Sequence, residues 1–153
     1  MEVTTHETNT AGFRERRAGS RDLIEKLTSE RAEMLALYCR VAGLAPFDDG
    51  DTQVQDMLQE FCQVLVDYVA AGHFSLYERI VNGQERRKEV AELAERLYPK
   101  ISRTTEMALD FNDKYDCEDH CQINRNFDQD LSELGEALAT RIELEDQLMD
   151  ALR

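Results

Sequence analysis

The sequence predicts an all-α fold: an antiparallel four-helix bundle with an extra short helix after a Gly-His break. Three observations predict it. Apolar residues recur at three- and four-residue steps over long stretches, the spacing that places side chains on one helix face. No run of alternating β-branched and aromatic residues suggests a strand. The chain has 153 residues and 42% hydrophobic content, which suits one domain around one core.

Residues 1–18 lack apolar periodicity and are rich in Thr, Asn and Arg, so a mobile tail is expected there. Residues 19–153 then form a single helical-bundle domain. The first helix is expected from the cap candidate Ser20 to about Ala42, with Gly43 as its stop. Its stripe is Ile24, Leu27, Met34, Leu35, Tyr38 and Val41, and Arg31 falls inside it. The stretch LAPFDDGD, 44–51, reads as a turn from its Pro, Asp and Gly content. The second helix, from about Thr52 to Ala71, has an apolar face of Met57, Leu58, Phe61, Leu65 and Tyr68. Asp56, Gln59, Glu60, Gln63 and Asp67 make its polar face. Gly72-His73 breaks that helix. A short helix to about Val81 follows, and the bend presents His73, Phe74 and Glu78.

After the turn signal Asn82-Gly83, a long helix is expected from about Gln84 to Tyr115. Its stripe is Val90, Leu93/Ala94, Leu97, Ile101, Thr104, Ala108, Phe111 and Tyr115. Pro99 predicts a kink, but the stripe stays in phase across it, so one helix is expected. DCEDHCQ, 116–122, is a polar connection to a last helix from about Asn124 to Leu152. That helix carries Phe127, Leu131, Leu134, Leu138, Arg141, Glu145, Leu148 and Leu152 on one stripe, so two charges sit among core positions.

The formal net charge is −14, from 32 acids against 18 bases. Phosphate contacts need Lys and Arg, so direct nucleic-acid binding is not expected. The same charge repels anionic membrane and attracts basic protein surfaces. No stretch approaches a membrane span of roughly 20 apolar residues, and the N-terminus has no apolar signal region. A cytoplasmic protein with reduced thiols is expected. No nucleophile elbow, P-loop or dinucleotide fingerprint appears, so no enzyme is expected.

Three constellations stand out. Arg31, Arg141 and Glu145 lie at core-facing positions, with His73 and Glu78 near the break. Buried charges need partners, so these residues are expected to form a polar network. That network is either a structural ion-pair cluster fixing helix register, the reading the residue types favour, or the wall of a ligand or metal pocket. Metal and cofactor are not expected: of the three histidines only His73 is placed for the interior, and Arg141 puts a cation where a further ligand would stand. Cys117-Glu-Asp-His-Cys121 has zinc-like spacing, but no second pair completes four ligands, so free exposed thiols are expected. The third is an acidic outer face: Asp56, Glu60 and Asp67 with Gln63, then Glu143, Asp146 and Asp150. It is either solvated or a docking surface, with Phe74 and Glu78 beside it and Phe74 as apolar anchor.

Two motifs carry a family resemblance: FCQVLVDYVAAGHFSLYERI, 61–80, and LSELGEALATRIELEDQLMDAL, 131–152. They resemble the bacterial Rsd/AlgQ proteins, the regulators of sigma D. The likeness runs from about Ser20 to Leu152, with the basic N-terminal tail departing from it. The resemblance implies an anti-sigma factor that binds region 4 of the primary RNA polymerase sigma subunit and sequesters it, thereby regulating transcription. It also implies that Asp67, in the LVDY motif, and Phe74, the aromatic after Gly-His, contact sigma. The acidic charge agrees with a basic region 4 but would not by itself name sigma. Two other readings stand beside this one. One is a haemerythrin-like bundle with a residual small-molecule or ion pocket at Arg31, His73, Arg141 and Glu145. The other is a general acidic adaptor with other regulatory partners.

Overall fold

The periodic stretches fold into four helices: α1 (Glu2–Ala42), α2 (Thr52–Ala71), α3 (Lys88–Tyr115) and α4 (Arg125–Leu152). The structure is a computed structural model and describes residues 2–45, 52–72, 87–115 and 125–152. Among these residues there is no strand, and the fold is an all-α four-helix bundle. The expected short helix after the break, with His73, Phe74 and Glu78, lies outside the described residues. So does the Cys117–Cys121 connection.

On α3 the buried residues are Val90, Ala94, Leu97, Ile101, Thr104, Ala108, Phe111 and Tyr115. On α4 Phe127, Leu131, Leu134, Leu138, Arg141, Glu145, Leu148 and Leu152 are buried. Both sets advance by alternating steps of four and three, an average period near 3.5. Such a seam keeps facing its partner when two helices lie at a shallow crossing angle. The contacts fit this. Arg87 Nη1 reaches the Leu152 carbonyl at 3.3 Å, Arg141 Nη1 meets Thr105 Oγ1 at 2.6 Å, and Lys114 Nζ meets Asp130 Oδ2 at 2.7 Å. Along the pair, residue order therefore rises on α3 as it falls on α4. Arg87 also supplies a cation to the last carbonyls of α4, whose own last turn has no basic residue.

Pro99 does not end α3. It is exposed, between the buried Leu97 and Ile101, so the hydrogen bond it removes lies on the solvent side. The described start of α3 is Lys88, later than the expected Gln84. No residue of its stripe precedes Val90, so the sequence held no core position to mark that end.

α1 differs more from expectation. It begins at Glu2 rather than at Ser20 and runs unbroken to Ala42. Helix and core are separate matters here: no proline interrupts residues 2–42, yet the apolar stripe of α1 starts only at Ile24. The upstream turns carry no regular apolar stripe, so periodicity gives no sign of them. At the other end Gly43 stops the helix, its N–H reaching the Cys39 carbonyl at 2.9 Å.

α1 packs on α2, α2 on α3 and α3 on α4, while a lighter contact between α1 and α4 closes the ring. The core also takes in Leu37, Val54, Cys62, Val69, Leu144 and Met149, which flank the expected stripes. One end holds an aromatic cluster, with Phe111–Tyr115 centroids 4.8 Å apart and Tyr115–Phe127 5.0 Å apart. Phe61 joins it edge-on to Phe111 at 6.1 Å.

Candidate functional site

One layer of this apolar interior is polar, and every helix contributes to it. On α4, Arg141 and Glu145 are one turn apart and both fully buried. Arg141 Nε donates to Glu145 Oε2 at 3.1 Å. Nη1 of the same guanidinium donates to Thr104 Oγ1 at 3.2 Å and to Thr105 Oγ1 at 2.6 Å, both on α3. Those hydroxyls donate in turn to the Ile101 carbonyl. From α2 the Tyr68 hydroxyl donates to Glu145 Oε1, and the Arg141 guanidinium lies over the Tyr68 ring at 5.4 Å. From α1 Arg31 Nη1 stands 3.8 Å from Glu145 Oε1 and donates to Asp146 Oδ1 at 2.9 Å.

Arg31, Arg141 and Glu145 thus come together, and the two acids Glu145 and Asp146 balance the two arginines. His73 lies outside the described residues. The sequence reading missed Tyr68, Thr104 and Thr105. A signal was present: Tyr68 carries the polar tip of its stripe, as Thr104 and Tyr115 do on theirs. Asp146 also stands differently from the open acidic face expected of it. Its side chain is half exposed and tied to Arg31, so it forms the rim of the layer.

Burial raises the Glu145 carboxyl above the usual carboxylate range, while Arg141, the Tyr68 hydroxyl and Arg31 oppose that shift. Arg141 Nη2 is buried and has no hydrogen-bond partner among the described residues. Also among the described residues, no three His, Cys, Asp or Glu side chains gather in a way that could hold a metal. The cations at the centre of the layer would repel one.

The outward side of α2 is built differently. Glu60, Gln63 and Asp67 are exposed and follow one another at helical steps, with Gln63 Nε2 at 3.5 Å from Asp67 Oδ1. Tyr68 is anchored inward by Glu145, which fixes the rotation of α2 about its axis. Asp67, one residue earlier, is thereby turned outward. Across the α1–α2 groove burial raises the Glu30 carboxyl; Lys26 opposes this, while Asp67 and Glu33 reinforce it. A shallow cleft of about 490 Å³ opens along α2, edged by Asp56, Glu60 and Gln63, with Val64 and the α3 residue Asn112 in its wall. Phe74 and Glu78, expected beside this face, lie outside the described residues. Among those residues no helix is long and apolar enough to cross a membrane.

A family model described as regulator of RNA polymerase sigma(70) subunit, Rsd/AlgQ, matches residues 7–153. The chain belongs to this family. Similar proteins named "Regulator of sigma D" agree with that. One from Yersinia enterocolitica is 36% identical over 88% of this chain and 83% of its own length. Another, from Shigella dysenteriae, is 35% identical over 88% of this chain and 86% of its own. One from Escherichia coli O139:H28 is also 35% identical, over the same shares. The family match begins at residue 7, upstream of the Ser20 limit that the two motifs suggested. Part of the stretch expected to depart from the family therefore lies inside it.

Proposed function

We propose that this protein is an anti-sigma factor of the cytoplasm. It binds region 4 of the primary RNA polymerase sigma subunit and keeps it from the polymerase by stoichiometric capture, without catalysis. The observation that carries the reading is the family match over residues 7–153, with relatives named for regulating sigma D. The α2 surface supports it physically. A module that reads DNA must be basic, and Glu60, Gln63 and Asp67 offer an exposed acidic strip on a helix whose rotation is set by a buried layer. Such support from within keeps an interface in one geometry. In this reading Asp67 pairs with a sigma Arg or Lys, Glu60 and Gln63 flank it, and Phe74 and Glu78 extend the contact past the break. Asp146 is left to Arg31.

The test is calorimetric titration of purified sigma region 4 into wild type and Asp67→Ala, with a thermal melt of each. Truncating one member of a desolvated charge pair costs about 2–5 kcal/mol of binding. That is a loss of roughly thirtyfold or more in affinity. Asp67 is exposed, and among the described residues its hydrogen bond is the long one from Gln63, so the melting temperature should not move. Unchanged binding by Asp67→Ala would take α2 out of the interface. Phe74→Ala is expected to weaken binding by a similar factor.

A further inference from the structure

A second concave surface lies on the seam between α3 and α4, and no α2 residue lines it. It is a pocket of about 270 Å³. Phe111, Leu134 and Tyr115 form its apolar floor, and Met107 stands at its edge. Met107 is 37% exposed, and Leu109 nearby on α3 is 40% exposed; among the described residues these are the large hydrophobic side chains left to solvent. The rim is charged: Asp110, Lys114, Asp130 and Glu133. Lys114 is already committed, since its Nζ donates to Asp130 Oδ2 at 2.7 Å. The Tyr115 hydroxyl donates to the same carboxylate. Asp130 is therefore neutralised and fixed in place. Asp110 and Glu133, which accepts only a neutral hydrogen bond from Gln129 Nε2 at 3.1 Å among the described residues, remain as two exposed, unneutralised carboxylates on either side of an apolar floor.

We propose that this α3–α4 pocket is a docking site, distinct from the α2 face, for a basic amphipathic helix of a protein partner. One apolar side chain of that helix would seat on Phe111, Leu134 and Met107. Its Lys or Arg residues, one turn to either side, would meet Asp110 and Glu133. An apolar anchor inside a polar rim is the pattern that concentrates binding energy at interfaces. A helix laid in a groove presents an apolar side chain with polar ones a turn away. The charge selects the partner's sign, because an acidic helix would face uncompensated repulsion. Methionine at the edge suits an apolar guest whose shape is not fixed in advance.

The probe is a synthetic amphipathic helix of Lys and Leu, with a scrambled peptide of the same composition as control. Both are titrated into the full chain while the α4 and α3 amide resonances are followed. Shifts centred on 107–115 and 130–134 are expected for the amphipathic peptide. The double variant Asp110→Lys with Glu133→Lys should weaken it by about tenfold or more, and Met107→Glu by a similar factor. Glu92→Lys with Glu95→Lys makes the same charge change elsewhere on α3 and should have far less effect, as should Asp67→Ala. Melting curves confirm that each variant is folded. Equal loss in the two charge-reversed doubles, or equal binding of the scrambled peptide, overturns the proposal in favour of general attraction to an acidic protein. Loss in Asp67→Ala overturns it in favour of one shared surface. Self-association of wild type that Met107→Glu abolishes overturns it too, because the occupant is then a second copy of the chain.

Discussion

Arg141 has no exposed surface and spends its hydrogen bonds on Glu145, Thr104 and Thr105. A guanidinium in such a place is tolerable only because those partners are already arranged. Taking it away strands the Glu145 carboxylate in the core, which costs about 3–5 kcal/mol. Glu136 is exposed, and its truncation costs about half a kcal/mol. Urea unfolding of Arg141→Ala and Glu136→Ala is expected to show that contrast. Glu145 adds a pH dependence. Burial raises its folded-state pKa above the ordinary 4.5, against the pull of Arg141, Tyr68 and Arg31. A raised pKa gives stability that is fully present below the unfolded value and is lost as pH rises through the folded value. Wild type should therefore lose stability relative to Glu145→Gln as pH climbs from about 4.5, whatever the constant offset between them. Unfolding free energies at a series of pH values read that slope directly.

At the scale of the element, α1 and α4 come close at Tyr38. The Tyr38 hydroxyl donates to the Leu131 carbonyl at 2.8 Å, and its ring lies against Gly135. A Cβ at 135 would overlap the hydroxyl and stand 2.9 Å from Tyr38 Cζ. Glycine there is a requirement of packing, since a glycine inside a helix costs about 1 kcal/mol relative to alanine. Gly135→Ala is expected to gain that propensity and lose more through overpacking, typically 1–3 kcal/mol. Tyr38→Leu shortens the opposing side chain, so the double variant should be less destabilised than the sum of the singles. Thermal melts of the four chains complete this cycle, and strict additivity would place Tyr38 away from Gly135. The same contact sets the α1–α4 register, with Arg31 meeting Asp146 further along. The polar layer acts likewise across all four helices, because sliding any one of them would break a hydrogen bond to Arg141, Glu145 or Asp146.

For the whole molecule the dominant fact is a net charge of −14. The acids are not evenly spread: from Glu106 to the end there are 14 acids against 4 bases, so the field is strongest around α4 and the last turns of α3. Association with a basic sigma module should therefore be steered over long distances. Such steering is screened within about 8 Å at physiological ionic strength. Affinity for sigma region 4 is expected to fall steadily from low to high salt, mostly through the association rate. Stopped-flow titration across a salt series measures it. A flat response would mean that apolar contacts carry the complex and the acidic strip is only solvated.

Much of this protein could be read from local pattern. The alternating steps of four and three on α3 and α4 announce both the helices and the residues they bury, Arg141 and Glu145 included. Periodicity is a property of neighbouring residues, so no tertiary information is needed to see it. The motifs around Asp67 and Leu131–Leu152 likewise led to the family that the full match shows. The pattern was silent upstream of the stripes, before Ile24 on α1 and before Val90 on α3. What the tertiary structure alone decided is pairing. Arg31 takes Asp146 from the acidic face, Tyr68 and the two threonines complete the layer, and Gly135 makes room for Tyr38. Each of these contacts joins residues far apart in the chain. Which polar tip meets which depends on the relative slide and rotation of whole helices, and that is set only when all four pack at once.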